Sequence, residues 1–459
     1  MKDKNAWNSY SEKERKALEK LSKDYIDFIS KGKTERECTD LLVAMANENG
    51  YRDLADIIAS GETLKAGDKV YAVQMNKCIA MFHLGEDLVE RGMNILGAHI
   101  DSPRLDLKQN PLYESDELAY FNTAYYGGIK KYQWVTMPLA LHGVIVKKDG
   151  SKVTVNIGEK PEDPVFFISD LLIHLAGEQM ERKASKVVEG EKLDILIGSE
   201  PLDEDTEKAV KANVLAILKD KYDIDEDDFW SAEIEAVPAG PAREAGFDRS
   251  LILGYGHDDR CCAYTSALAL FDIETPSRTA CGLFVDKEEI GSVGATSMQS
   301  HFFEDTVREI LNLMGLYTEL NLTRTLRNSR MLSSDVSATY DPLFAESFDK
   351  DNAAFFGRGI VFNKYTGGRG KSSSNDANAE YLGMLRRIFH KHDVAFQSAE
   401  LGKVDLGGGG TIAYILSLYG MDVVDSGIAV LNMHAPWEAI SKSDLYEAYK
   451  GYCAFLIEA

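Results

Sequence analysis

Five short polar clusters hold the residues best suited to chemistry: Gly97-Ala-His99-Ile-Asp101-Ser-Pro, Gly256-His-Asp258-Asp259-Arg260, Val285-Asp-Lys-Glu288-Glu289-Ile-Gly, Ser333-Ser-Asp335 and Asn432-Met-His434-Ala-Pro. Each stands at or just beyond the end of an apolar stretch that reads as a strand. Ligands of an open α/β sheet bind beyond the carboxyl ends of its strands, so these clusters can converge on one crevice. Imidazole nitrogens and carboxylate oxygens are the ligand set of zinc and related divalent metals. One metal with an open position takes about three protein ligands, and a pair takes about five or six. Taken singly, each cluster has an ordinary reading. A histidine after a strand is a loop or core residue, Asp-Asp-Arg a turn with an ion pair, and Glu-Glu a helix start favoured by the helix dipole. Their joint occurrence at successive strand ends favours a metal centre.

The elements that must position these clusters are legible in outline. Ser11 with Glu14 and Thr34 with Glu37 form capping-box pairs ahead of helix-spaced apolar residues, the first run holding Leu18, Leu21, Tyr25 and Phe28. Lys69–Val73 and Cys78–Phe82 read as strands, followed by the buried-looking run Asn94–His99. From about residue 107 to 246 the texture changes. Val144–Lys148, Asp149-Gly150 and Lys152–Ile157 read as a hairpin with a primed two-residue turn. Ile168–Met180 reads as an amphipathic helix, Leu202–Asp228 as a solvated acidic run, and Val237–Ala242 as a linker. Thereafter short apolar strands alternate with helical segments up to Ala429–Leu431, a rhythm that gives a mixed sheet with helices on both faces. The expected fold class is therefore α/β. One domain is formed by residues 1–106 and 247–459, interrupted by an inserted β-rich domain at 107–246.

Composition excludes several classes. The 459 residues are 44% hydrophobic and include 21 Tyr, 19 Phe and 4 Trp, which excludes a disordered chain. The net charge, 51 − 74 = −23, opposes a nucleic-acid partner. No apolar run approaches the ~18 residues of a membrane span, and the polar N-terminus is not a secretory signal. Six cysteines with no Cys-x-x-Cys spacing, two of them adjacent at Cys261-Cys262, fit reduced thiols in a cytoplasmic protein.

The ordered series His-x-Asp-Ser-Pro (99–103), Asp-Asp (258–259), Asp-x-Glu-Glu-x-Gly-Ser (286–292), Ser-Ser-Asp (333–335) and Met-His (433–434) resembles the aspartyl aminopeptidase and aminopeptidase I family of zinc metallopeptidases. The stretch Asp405-Leu-Gly-Gly-Gly-Gly-Thr-Ile resembles that family's glycine-rich segment. The resemblance implies a zinc-peptidase-like fold with two divalent ions, Zn2+ first and Co2+ or Mn2+ as alternatives. It implies Asp258 as the bridge, His99 and Asp335 at one ion, and Glu289 and His434 at the other. Glu288 becomes the general base, and Asp101 the partner of the second ring nitrogen of His99. Glu288 and Glu289 would point oppositely on a strand, so a turn is expected at Lys287–Glu289. The implied substrates are short peptides with a free N-terminus and an acidic or neutral first residue. The inserted domain would serve dimerisation or act as a lid, in a homo-oligomer built from dimers up to a dodecamer.

Other features read as structural. Gly370-Lys371-Ser372 lacks the leading glycine of a P-loop, and Asp223-x-Asp225-x-Asp227 lacks the glycine of a calcium loop. Cys261 and Cys262 are expected to begin the buried face of a helix. His257 stands beside the bridging position, as a ligand, a supporting group or neither. His174 falls on the helix expected in the inserted domain, the region from which the family sends a histidine into a neighbouring subunit's site. Arg369 and Lys371 are the cations able to line a pocket for an acidic first side chain. The competing functions are a metal-dependent deacylase or carboxypeptidase-type hydrolase, a catalytically silent scaffold, and a carboxylate-pair glycosidase that leaves His99 and His434 without a role.

Overall fold

The protein is described by a computed structural model covering residues 5–368 and 370–459. It divides into two compact units. The first comprises residues up to Asp101, Ala242–Met433 and Glu438–Ala459; the second comprises Ser102–Pro241 and His434–Trp437.

The first unit is built on a nine-stranded mixed sheet with Met93–His99 at its centre. That strand runs parallel to Thr279–Val285 on one side and Arg330–Ser333 on the other, and Asp422–Gly427 continues the parallel set. Along the central strand Leu96 and Ala98 enter one apolar cluster while Met93 and Ile95 enter another. Thr279–Val285 alternates likewise, with Ala280 and Phe284 in the first cluster and Cys281, Leu283 and Val285 in the second. Such two-sided burial requires helices on both faces. Glu12–Lys31, Glu35–Glu48, His257–Asp272, Ala379–Lys391 and Lys442–Glu458 fill the first cluster. Leu54–Ser60, Phe302–Leu313, Glu319–Arg327 and Ala413–Ser417 fill the second. The α/β class with a mixed sheet is as the sequence indicates, and both capping boxes form, at Ser11–Glu14 and Thr34–Glu37.

A second, five-stranded sheet in this unit escapes the sequence reading. Its order is Arg243–Ala245, Leu251–Gly254, Glu438–Ser441, Ala429–Leu431, Ser337–Ala338. It matters for the site because Leu251–Gly254 leads into His257-Asp258 and Ser337 follows Asp335. Close approach fixes the latter: a methyl group on Gly427 would collide with the backbone of Asp335, so only glycine fits there.

The second unit carries a six-stranded antiparallel sheet in the order Lys152–Ile157, Leu139–Val146, Ala232–Pro238, Arg104–Ser115, Leu118–Tyr126, Ile195–Gly198. Two expectations change here. The hairpin forms, but its loop spans residues 147–151 and only Gly150 is left-handed there, at φ 85°. The Ser151 N–H bonded to Asp149 Oδ1 at 2.9 Å and the Gly150 N–H bonded to Lys147 O at 2.9 Å favour this wider turn over the primed one. Ile168–Met180 is not one helix. It contains a short turn at Ile173–Leu175 and a four-residue helix at Gly177–Met180; Ile168 and Ala176 are buried, but Leu171, Leu172, Ile173, Leu175 and Met180 face outward. The acidic run is largely exposed, as expected, and holds a helix at Ala209–Tyr222, with Lys219 bonded to Asp223 and Asp225 at 2.8 Å each. Among the described residues no helix is long and apolar enough to cross a membrane.

Candidate metal centre

The parallel register brings the polar clusters level. His99 pairs with Val285, and Gly97 pairs with Ser333, so the chain continues into Glu288 and Asp335 from neighbouring strand ends. The ligating atoms of His99, Asp258 and Glu289 lie within 4.8 Å of one another, and those of His99, Asp259 and Asp335 do likewise. Five carboxylates and one imidazole, counting Glu288, are thereby gathered at the ends of adjacent strands.

His99 is buried. Its Nδ1 lies 3.0 Å from the Asp101 carbonyl oxygen, which can only accept, so the ring proton sits on Nδ1 and Nε2 presents its lone pair. Nε2 lies 3.1 Å from Asp258 Oδ1. That spacing is close to the ~3.3 Å edge of a coordination tetrahedron with bonds of about 2.0–2.1 Å. Burial alone would lower the His99 pKa, yet the Asp101 and Asp258 carboxylates raise it well above the ordinary imidazole range.

Asp101 does more than accompany His99. Its Oδ1 accepts the backbone N–H of Glu288 at 3.1 Å and its Oδ2 accepts that of Glu289 at 3.2 Å. The expected turn is present: Lys287 adopts a left-handed φ of 71° and Glu288–Ile290 forms a 3-10 turn. One buried carboxylate thus aims two adjacent glutamates.

Asp258 is fixed from its backbone. Its N–H donates to Glu438 Oε2 at 3.0 Å, Glu438 being buried on the five-stranded sheet. The Asp258–Asp259 peptide is cis. Arg260 does not lie in a surface turn; it is wholly buried and donates to the carbonyls of Ile100 at 3.1 Å and Lys33 at 3.0 Å.

Two acidic residues that sequence reasoning gave no role belong to this region. Asp259 is fully buried, its Oδ2 accepts the His99 backbone N–H at 3.4 Å, and its Oδ1 has no hydrogen-bond partner. Asp425, opposite Ser333 in the sheet register, accepts the Thr411 hydroxyl at 2.5 Å. The Asp-Asp pair itself was the signal for Asp259; Asp425 and Glu438 are single acids whose placement depends on register.

Burial pushes the carboxyl of Asp259 well up, with Cys262 and Asp335 adding to it. Burial pushes Asp335 up as well, with Glu288 and Asp258 adding. Burial raises Asp425 to about 7 against the lowering effect of its Thr411 hydrogen bond. Carboxyls gathered this closely hold protons until a cation replaces them. The orphan oxygen of Asp259, the Nε2 lone pair of neutral His99 and the nitrogen–oxygen donor set all fit a zinc-type ion, which would take the place of the protons held there.

The remaining candidates sort clearly. His257 is buried with both ring nitrogens engaged: Nε2–H donates to Ile252 O at 3.1 Å, and Nδ1 accepts from Tyr25 Oη at 2.7 Å. Burial holds its pKa down at about 3, so it is a neutral structural group. His434 falls in the second unit, where Nδ1–H donates to Gly128 O at 2.9 Å and leaves Nε2 as the lone-pair nitrogen. His174 lies on the exposed Ile173–Leu175 turn, not on a helix. Lys371 bonds to Asp376 at 2.9 Å and sits 3.8 Å from the Tyr365 ring centroid, while Arg369 lies outside the described residues.

Comparison with known proteins agrees with this geometry. Residues 28–456 match the family of aminopeptidase I zinc metalloproteases (M18). The chain is 60% identical over 454 residues to a probable M18 family aminopeptidase 1 of Clostridium acetobutylicum, covering 99% of this chain and 98% of the relative. The crystal structure of an M18 family aminopeptidase from Thermotoga maritima is similar with a TM-score of 0.95 at 45% identity, covering 100% of both chains. That of aminopeptidase I from Clostridium acetobutylicum gives 0.92 at 57% identity, covering 99% of this chain and 98% of the other. The chain belongs to the M18 aminopeptidase I family of zinc metalloproteases and is a metal-dependent aminopeptidase.

Proposed function

We propose that this aminopeptidase works with two divalent ions and a glutamate base. Asp258 is the bridging ligand, His99 and Asp335 serve one ion, and Glu289 and His434 serve the other. The observation that carries this reading is the pair of overlapping ligand groups that share His99. His434 joins the set through its motif, and its Nδ1–H bond to Gly128 O makes Nε2 the lone-pair nitrogen. Zinc is the first choice of ion; bound there, the ions supply Lewis acidity at the scissile carbonyl and at the attacking water.

The protein side chains do the rest. Glu288 takes the proton of the attacking water on its carboxylate and delivers it to the departing amine. Its place on the Lys287 turn, pinned by Asp101, holds that carboxylate apart from its neighbour Glu289. Asp101 also keeps the proton of His99 on Nδ1. The substrate is a short peptide with a free N-terminus and an acidic or neutral first residue. We also assign the second unit to self-association. Ile173, Leu175 and Met180, close in sequence, are 69%, 67% and 64% exposed, the kind of apolar surface that marks a contact with another chain. A structural neighbour from Saccharomyces cerevisiae, 20% identical, is a dodecamer.

The test is Glu288→Gln with metal counted alongside turnover. The variant is expected to hold the same two ions per chain and lose about 10²–10⁴-fold in kcat. Unchanged turnover would remove Glu288 from the mechanism, and a single ion in the active native protein would remove the second site.

A further inference from the structure

A third group of ligating atoms adjoins the centre just described, shares Asp259 with it and adds two thiols that its chemistry does not use. One oxygen of Asp259 and the Sγ atoms of Cys261 and Cys262 lie within 4.8 Å of one another. All three side chains are 0% exposed. The cysteines begin the buried face of the His257–Asp272 helix, and their positions two and three residues after Asp259 bring both sulfurs and that buried carboxylate together.

The sulfur atoms stand 4.0 Å apart. Two thiolates on one tetrahedral ion, with bonds of about 2.3 Å, would stand ~3.8 Å apart. The backbone at this point is held by the Thr265 hydroxyl, which lies 2.8 Å from Cys261 O and 3.2 Å from Cys262 O, so the two side chains start from a fixed frame. Asp259 Oδ1, wholly buried, has no hydrogen-bond partner, a condition a cation would relieve. Thiolates select soft ions over magnesium, calcium or manganese. Asp259 is also a member of the group with His99 and Asp335, so the two groups compete for one carboxylate.

We propose that Asp259, Cys261 and Cys262 form a binding site for a thiophilic divalent cation of the Cd2+ type, and that its occupancy inhibits the peptidase by drawing Asp259 away from the His99 backbone N–H that it accepts, so that the ligand His99 shifts. The inhibitory part rests on the two-metal reading; the binding part does not. On binding, two S–H bonds are replaced by two metal–sulfur bonds and the O–H bond of protonated Asp259 by a metal–oxygen bond; the three protons leave to solvent, with no change of oxidation state.

The test is a Cd2+ titration of the full-length, zinc-loaded protein, read by thiolate-to-metal charge-transfer absorption in the ultraviolet and by peptidase activity. The expected result is one equivalent of Cd2+ producing the band, with activity falling in parallel. Cys261→Ala/Cys262→Ala should keep basal activity, show no band and resist inhibition. If that double variant fails to fold, Cys261→Ala and Cys262→Ala singly should each weaken the band. No band in the native protein, an undiminished band in the variants, or equal inhibition with and without the cysteines would overturn the proposal. A native protein that shows the band but no zinc-dependent hydrolysis would instead count against the two-metal reading.

Discussion

The Oδ1 oxygen of Asp101 accepts the backbone N–H of Glu288 at 3.1 Å, tying the strand end that carries His99 to the turn that carries the proposed base. The second oxygen holds Glu289 in the same way. An Asp two residues after a histidine is thus a brace between two strand ends as well as a tautomer-setting neighbour. Asp101→Asn keeps the shape but replaces one acceptor with a donor facing an N–H. Groups that orient metal ligands contribute about 10–100-fold to affinity or activity. The expected outcome is a fall in kcat/KM of that size with the fold retained, measured by steady-state kinetics beside circular dichroism.

Asp444 offers a pH test remote from the metal ligands. Its Oδ2 accepts the Gly357 N–H at 2.9 Å and its Oδ1 accepts the Gly359 N–H at 2.7 Å. Burial nevertheless raises its pKa to about 7, outweighing the lowering effect of those amides. The folded value lies above the unfolded value of about 3.9. The unfolded chain therefore loses this proton first, and the stabilising contribution present at low pH is lost as pH rises through about 7. Asp444→Asn removes that dependence while sacrificing an acceptor. Denaturant unfolding at pH 5 and pH 8 should show a smaller loss of stability on going to pH 8 in the variant than in the native chain.

The outward-facing Ile173 and Leu175 lie on a turn with little packing of its own. Ile173→Lys with Leu175→Glu should leave the thermal stability of the isolated chain within about 0.5 kcal/mol, the usual range for surface changes. Light scattering coupled to gel filtration should show the native protein as a homo-oligomer and the variant as a smaller species. An unchanged mass would remove this segment from the assembly.

Much of the site was legible because parallel strands repeat one device. Each buried strand is a short apolar run, and its end is marked by an abrupt polar cluster, so His99, Glu288 and Asp335 could be named from pattern alone. Capping boxes gave the first two helices for the same reason: the signal is local. What stayed hidden depends on pairings between distant residues. Glu438 supports Asp258 through a bond across 180 positions, and the five-stranded sheet that carries it joins strands of two to four residues. His257 could not be sorted until Tyr25 and Ile252 were seen on its ring. Residues 168–180 have helical apolar spacing, but only Ile168 and Ala176 are buried and the larger apolar side chains between and after them are not, so periodicity misled there.

The most direct test of the central claim is release of the N-terminal residue from matched peptides, each free and N-acetylated, before and after chelation and metal return. Acidic and leucyl first residues would be compared in the same set. The expected result is cleavage confined to the free peptides, abolished by chelation and restored by Zn2+, with the acidic-to-leucyl rate ratio defining the first side-chain pocket. Cleavage of the acetylated peptides at an equal rate, or full activity in the metal-free protein, would contradict it.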